Sequence, residues 1–178
     1  MNPDFHPLLE DEKVLLRPLT PDDFEAAFAV ASDPAIWEQH PYKNRWQEPV
    51  FRVFFEASLA SNGAFLILER SSGEVIGGTR FYDYDEEQSA VVIGGTYFAT
   101  RCWGTGINRR VKQLMLDHIF GYLSTACFYI DQYNIRSQTA ITRLGATFCG
   151  EKPMGEDMTD FVYRITREEW QILRAKQL

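Results

Sequence analysis

The chain has 178 residues, of which 45% are hydrophobic and 24% charged, and its formal net charge is −7. A single domain of this size buries enough surface to fold without a disulfide or a metal. The acidic balance argues against broad binding to nucleic acids or anionic membranes, because such binding needs a basic face.

The first part of the chain predicts one strand and three helices. Residues 14–19, VLLRPL, predict a short strand that Pro18 closes. Thr20 is suited to cap a helix, and Pro21 fits its first turn. Apolar spacing and start signals together predict helices over 20–31, 32–37 and 49–60.

The middle of the chain changes from strand to helix periodicity. Three strands are predicted as a meander, at 64–69, 74–82 and 89–98, with a polar hairpin loop at 83–88. A helix over 104–122 follows, because apolar side chains recur there at helical spacing.

The last part predicts three short strands and two helices. Residues 126–130 are wholly apolar, as expected for a strand inside a sheet. A helix over 134–144 ends at Gly145, and strands are predicted over 146–150 and 160–165. Thr166 then opens a final helix through a capping box with Glu169. This order of elements predicts one mixed α/β domain.

Residues 101–108, with the sequence RCWGTGIN, predict a phosphate-binding turn at the start of the long helix. The first amides of a helix have no internal partner and lie at the positive end of its dipole, which suits an anion. Gly104 and Gly106 allow a phosphate to approach the backbone, and Arg101 adds a positive charge. A diphosphate is the expected ligand, although glycines in this spacing also occur where they only shape a loop.

Two other phosphate motifs do not fit this turn. A P-loop ends in Gly-Lys followed by Ser or Thr, whereas Ile107 and Asn108 follow Gly106 here. The dinucleotide fingerprint needs a third glycine at the position of Arg109. An unrelated nucleotide-binding fold is therefore the least favoured interpretation.

The turn and several other segments resemble the GNAT superfamily of N-acetyltransferases. The spacing of Arg101, Gly104 and Gly106 is similar to the acetyl-CoA motif Q/R-x-x-G-x-G/A of that family. The further segments are VLLRPLT at 14–20, EVIGG at 74–78, NIRS at 134–137 and RLGA at 143–146. Trp103 before Gly104 resembles the branch of ribosomal-protein and related N-terminal acetyltransferases, and the match spans about residues 14–170.

The resemblance implies a GNAT fold, with a mixed central sheet of about six to seven strands that is splayed in the middle and flanked by helices. It implies a single acetyltransferase domain over 1–178, with the motif core at about 64–165. Acetyl-CoA is the implied co-substrate, and no metal is expected. The implied cofactor-binding residues are the backbone of Tyr97, Phe98 and Ala99 along the pantetheine, Arg101, Trp103, Gly104, Thr105, Gly106, Ile107 and Asn108 around the diphosphate, and Asn134 and Ser137 near the thioester.

Two catalytic side chains that family members often use are absent. A tyrosine acid is expected seven residues after Asn134, where this chain has Ile141. A glutamate base is expected before Ile93-Gly94, where the chain has Val92. In the amino-terminal branch a serine, here Ser137, donates to the leaving sulfur. Asn134 also suits a helix N-cap, and Ser137 also suits an ordinary helix position.

The acceptor side is predicted from aromatic residues between the early helices. In the family this region covers the acceptor, and rings there would form walls around an amine. The substrate-binding candidates are Trp37, His40 and Tyr82, with Tyr42 and Trp46 in the same cluster. Ordinary packing accounts for these rings equally well.

The predicted function is an N-acetyltransferase that moves acetyl from acetyl-CoA to a primary amine by direct attack. The acceptor is a protein N-terminus or a small amine. The amine must be neutral to attack, and the oxyanion and the thiolate need donors. Without the glutamate, Asp83, Asp85 or His40 would have to replace the base. The alternative is a catalytically weak CoA-binding sensor or scaffold.

The remaining expectations concern location and partners. Cys102, Cys127 and Cys149 form no paired motif, which predicts reduced thiols in a cytoplasmic protein. The N-terminus lacks the features of a signal peptide, and no apolar run approaches the ~20 residues of a spanning helix. Nucleic acid and membrane are not expected as partners. A homodimer is the one assembly considered, through a strand near the C-terminus.

Overall fold

The computed structural model describes residues 2–176 and shows one sheet with helices on both faces. The sheet contains β1 (Leu9–Glu10), β2 (Val14–Pro18), β3 (Ala64–Glu69), β4 (Val75–Asp85), β5 (Ala90–Phe98), β6 (Thr125–Asp131), β7 (Thr147–Pro153) and β8 (Thr159–Thr166). The α-helices are α1 (Phe24–Ala31), α2 (Glu48–Ala60), α3 (Ile107–Ile119), α4 (Ile135–Leu144) and α5 (Arg167–Ala175). Short 3-10 helices cover Pro21–Asp23, Pro34–Trp37 and Thr100–Cys102.

The sheet divides in its middle, between β5 and β6. The strand order is β1-β2-β3-β4-β5-β6-β8-β7, and β5 with β6 is the parallel pair. Their ladder holds only from Ala90–Thr125 to Val92–Cys127. Beyond it β5 continues to Phe98 and β6 to Asp131. The two strands therefore leave a V-shaped opening between their carboxyl ends, as the resemblance implied.

Side-chain alternation along the strands produces a hydrophobic core on each face. In β3, Phe65 and Ile67 belong to the core under α3, α4 and α5, whereas Leu66 belongs to the core under α1 and α2. In β5 the same alternation sends Phe98 to the first core and Tyr97 to the second. β5, which borders the opening, is thus anchored from both faces, as is β3.

The mixed α/β plan with flanking helices is confirmed, with three local differences. The sheet has eight strands in the described range rather than six to seven, because β1, a strand of two residues, is too short to give a periodic signal. The predicted hairpin loop at 83–88 is shorter, since β4 continues to Asp85. The predicted helix over 104–122 is α3, which begins only at Ile107 and ends at Ile119.

Candidate functional site

A tight turn joins the end of β5 to the start of α3. Gly104 and Gly106 have φ angles of +73° and +85°, which L residues with a side chain rarely adopt. A Cβ added at either glycine would meet no protein atom within 4 Å, so the space in front of both is open. The Thr105 hydroxyl donates to the Cys102 carbonyl at 2.6 Å, and Cys102 is buried. The turn is therefore held to the protein through Thr105 and Cys102, while the space beside Gly104 and Gly106 is open.

The same turn presents amides that have no partner in the protein. Among the described residues, the backbone N–H groups of Gly104, Gly106, Asn108 and Arg109 donate no hydrogen bond. They lie at the N-terminal, positive end of α3. Unpaired amides and the helix dipole are together suited to an anion.

Two predicted residues of the turn have additional contacts. Arg101 is paired with Glu74 at 2.7 Å and with Glu69 at 3.4 Å, so its charge is already compensated. Trp103 is 38% exposed, and the guanidinium carbon of Arg136 lies 3.9 Å from its ring centre. Because Arg136 belongs to α4, this stack connects the two sides of the opening.

Asn134 and Ser137 lie where α4 begins, directly after β6. The Asn134 side chain accepts from the Ser137 amide at 3.1 Å, which is an N-cap. Within residues 2–176 neither the side-chain nitrogen Nδ2 of Asn134 nor the hydroxyl of Ser137 makes a hydrogen bond. The capping role that the sequence allowed is therefore present, and the other polar atoms of both side chains are left available.

The backbone of β5 beyond Val92 carries β4 on one edge and no strand on the other among residues 2–176. Tyr97 and Phe98 are 7% exposed, so their rings serve the core while their backbone faces the opening. An extended molecule in the opening would have a free strand edge beside it. The turn lies at the end of that edge.

Comparison with known proteins identifies the family of this chain. The acetyltransferase (GNAT) domain family matches residues 13–147. The chain belongs to this family. An unrelated nucleotide-binding fold is thereby excluded, and the chain is an N-acetyltransferase.

Solved structures of acetyltransferases have the same fold as this acetyltransferase over most of its length. A crystal structure described as an acetyltransferase shares 28% identity, covers 94% of this chain and 90% of its own, and has a TM-score of 0.79. An acetyltransferase from T. thermophilus shares 27%, covers 95% and 94%, and has a TM-score of 0.76. A GCN5-related N-acetyltransferase from Brucella melitensis shares 18%, covers 96% and 83%, and has a TM-score of 0.83; it shows the fold alone.

The acetyltransferase holds apolar, buried side chains at the two positions where an acid and a base were expected. Val92 is 2% exposed and Ile141 is 5% exposed. Val92 also forms the last pair of the β5–β6 ladder, with Cys127. Neither position is able to transfer a proton.

The predicted acceptor residues lie on the sheet face that α1 and α2 cover. Trp37 is 2% exposed, and its indole N–H donates to the Ala31 carbonyl at 2.8 Å, so it belongs to the core. His40 is in ring contact with Trp37, and burial lowers the pKa of His40 to about 3. His40 is therefore a poor general base near neutral pH. Burial raises the pKa of Tyr82, which keeps its proton.

The sequence analysis missed two arginines on this face. Arg45 donates to His40 at 3.2 Å, and its guanidinium carbon lies 4.2 Å from the centre of the Phe54 ring. Arg80 lies 5.5 Å from the same ring centre and 4.9 Å from that of Tyr82. A charged residue inside the apolar strand VIGGTRFY was the available signal for Arg80. No signal linked it to Arg45.

A groove of about 500 Å³ lies on the same face, beside the end of the β5–β6 ladder. Val92, Cys127 and Tyr129 line its inner side, and the acidic residues Asp83 and Asp85 line its rim. Both carboxylates considered as substitute bases are thus at the edge of this groove.

Residues 2–176 were compared with the requirements of a membrane span, a disulfide and a metal site. None of these helices combines the length and the apolar character that crossing a membrane requires. The three cysteines are free thiols, and no group of three or more metal-ligating side chains occurs among these residues.

Proposed function

We propose that the chain transfers an acetyl group from acetyl-CoA to a primary amine, with the CoA diphosphate on the turn at 103–108. The four unpartnered amides of this turn are the observation that carries the proposal. They suit a diphosphate because each has a hydrogen to donate and none has an acceptor in the protein. The open space before Gly104 and Gly106 accommodates the phosphate oxygens.

The rest of the cofactor fits the residues along the opening. The free edge of β5 at Tyr97, Phe98 and Ala99 would bind the pantetheine amides. The Asn134 amide nitrogen would donate to the same arm while its oxygen keeps the N-cap. Arg101 has a smaller role than the sequence suggested, because two carboxylates already compensate it.

Bound acetyl-CoA supplies an activated acyl group, so that a C–N bond to the amine forms as the C–S bond breaks. The amine nitrogen loses one proton in this step, and the leaving thiolate gains one, so no net proton is released. The Ser137 hydroxyl is the donor available to the leaving sulfur, since Ile141 replaces the usual acid. With Val92 at the position of the usual base, orientation of a neutral amine provides most of the catalysis.

The acceptor is a protein N-terminus or a small amine. A protein from Vibrio cholerae described as a ribosomal-protein-serine acetyltransferase has the same fold, with 18% identity and a TM-score of 0.72. The acetyltransferase MccE, solved with acetyl-CoA and AMP, has 14% identity and a TM-score of 0.73. These relatives support the use of acetyl-CoA, and they favour neither class of acceptor.

The test compares two glycines that have the same φ angle. Gly104 and Gly73 both have a φ of +73°, and neither has a protein atom within 4 Å of an added Cβ. The positive φ strains a valine at either position, but only Gly104→Val fills the space before the turn. Calorimetry should show loss of CoA binding for Gly104→Val and unchanged affinity for Gly73→Val. Unchanged affinity in both variants would place the diphosphate elsewhere.

Turnover is tested separately by thiol release from acetyl-CoA with a panel of primary amines. Release with at least one amine class supports the transferase. CoA binding without release for any class would support the alternative, a CoA-binding sensor or scaffold. The buried apolar residues Val92 and Ile141 are the observation that favours this alternative.

A further inference from the structure

Two guanidinium groups on the sheet face that α1 and α2 cover have no carboxylate partner. Arg45 precedes α2, and Arg80 lies in the middle of β4. Among residues 2–176, no carboxylate oxygen lies within 4.0 Å of either group. By contrast Arg52, on α2, is paired with Glu48 at 2.6 Å. Neither arginine therefore forms an ion pair within the described chain, and the carboxylate whose charge acts on Arg80, that of Asp83, does so from beyond 4.0 Å.

Most of their hydrogen-bond donors are also unused. A guanidinium carries five N–H donors in a planar fork. Arg45 makes one side-chain hydrogen bond, to His40 at 3.2 Å, and Arg80 makes one, to the Ser58 hydroxyl at 3.3 Å. The Nε atom of Arg80 is buried and has no partner at all. Leaving a buried donor of a cation unpaired is costly, and an acceptor that binds there removes the cost.

The surroundings of the two arginines strengthen any interaction with an anion. The Arg45 guanidinium lies 5.1 Å from the ring centre of Trp37 and 5.0 Å from that of Tyr42, besides its contact with Phe54. Burial, and then the charge of Arg80, lower the pKa of Arg45 to about 10. Burial also lowers the pKa of Arg80. Both groups remain cationic at neutral pH in a medium that screens charge weakly.

The Arg80 side chain lies over the backbone of β5 in the part of the strand that has left β6. A Cβ added at Gly95 would lie 3.1 Å from the Nε atom of Arg80. Gly95 has a φ of +57° and occupies the irregularity of β5 between its pairings with Gly78 and Arg80. This irregularity follows Val92, after which β5 leaves β6. The unpaired cations are therefore beside the opening.

We propose that Arg45 and Arg80 form an anion-binding subsite, and that the acceptor carries a carboxylate or phosphate group close to its amine. The subsite concerns the substrate class, and thus rests on the proposed function. The bidentate fork of an arginine matches both oxyanions. The rings of Tyr42 and Phe54 would confine the group that joins the anion to the amine, while Trp37 packs behind Arg45 in the core.

The subsite also helps to explain how an amine is activated without a glutamate at Val92. With a carboxylate, the two cations leave a net positive charge near the acceptor nitrogen, whereas a phosphate dianion would balance them and the subsite would then only position the amine. A positive neighbour disfavours the ammonium form and favours the neutral nucleophile. Position and activation of the amine would then come from the same pair of side chains.

The direct test measures the dissociation constant of inorganic phosphate. Gly104→Val is the background, because it fills the turn that would otherwise also bind phosphate. Adding Arg80→Met should weaken binding by about tenfold or more. Adding Arg52→Met, which removes a paired surface arginine on α2, should leave binding unchanged. Methionine retains the unbranched apolar stem of arginine without its charge, and circular dichroism with a melting curve verifies the fold. Equal dissociation constants in the Arg80→Met and Arg52→Met variants would overturn the subsite.

The second test uses the otherwise natural chain and pairs of amines in which one member carries the anionic group and the other lacks it, with each rate corrected for the neutral fraction of the amine. Phosphoethanolamine is compared with ethanolamine, and amino acids are compared with their amides. We expect kcat/KM to be higher for the anionic member by about tenfold, and Arg80→Met to abolish this preference. A preference for the uncharged member would overturn the inference and leave the transferase intact. Phosphate binding through Arg80 without thiol release from any amine would leave the subsite and reject the proposed function.

Discussion

The stability gained by replacing Lys112 with methionine should depend on pH. Lys112 lies on α3 and is 4% exposed. Its ammonium donates to the Thr96 hydroxyl at 2.6 Å and to the Thr79 hydroxyl at 3.2 Å, and no carboxylate pairs with it among residues 2–176. Thr79 and Thr96 also bond each other at 2.8 Å, so both hydroxyls keep a partner when the lysine is removed.

The size of this pH dependence follows from the difference between the pKa values of Lys112 in the folded and the unfolded chain. Burial lowers the pKa of Lys112 from 10.5 to about 7. Between these two values the unfolded chain holds a proton that the folded chain has released. The free energy of unfolding contributed by Lys112 therefore rises with pH across this window, by about 1.4 kcal/mol per pH unit. Below pH 7 the full cost of burying the ammonium is present, about 5 kcal/mol.

Urea unfolding of the natural chain and of Lys112→Met at pH 7 and pH 9 measures this effect. Taking the difference in free energy of unfolding between the two proteins removes the contributions of groups that titrate in both. Methionine should be the more stable at pH 7, and its advantage should shrink by about 2 to 3 kcal/mol at pH 9. Lys43→Met, at an exposed lysine, is the control for loss of a charge. An advantage that is equal at both pH values would refute the argument.

Two further predictions concern single side chains near the site and in the N-terminal segment. Ser137→Ala should lower the turnover number more than the affinity for CoA, because the hydroxyl is free to act on the leaving sulfur; steady-state kinetics with calorimetry measures both, and no change in either would leave Ser137 a structural residue. Asp23→Asn should lower the free energy of unfolding by about 2 to 3 kcal/mol at pH 7, because the Asp23 carboxylate accepts from Arg17 at 2.6 and 2.8 Å. Hydrogen bonding to Arg17 lowers the pKa of Asp23, so this stabilisation is present above its unfolded pKa of about 3.9 and is lost as pH falls through the lower folded value. The difference in free energy of unfolding between the two proteins should therefore be smaller at pH 3 than at pH 7, and a constant difference would contradict the role of the pair.

Local signals determined the elements that the sequence predicted well. Thr166 and Glu169 form the expected capping box, with hydrogen bonds of 2.8 and 3.3 Å, and α5 begins directly after it. Such signals succeed because both partners lie within one helical turn. The start of α3 was predicted too early because positive φ angles keep Gly104 and Gly106 outside the helix.

The sequence by itself also determined the family and the amide turn, because the spacing of Arg101, Gly104 and Gly106 is a local property of the chain. Only the tertiary structure decided that Arg45 and Arg80 share the ring of Phe54, and that Lys112 lies under Thr79 and Thr96. Those meetings depend on strand register, on the irregularity of β5 and on how the helices pack across the sheet. Each of these is set by contacts between residues far apart in the chain, and the spacing of residues within one segment does not determine such contacts.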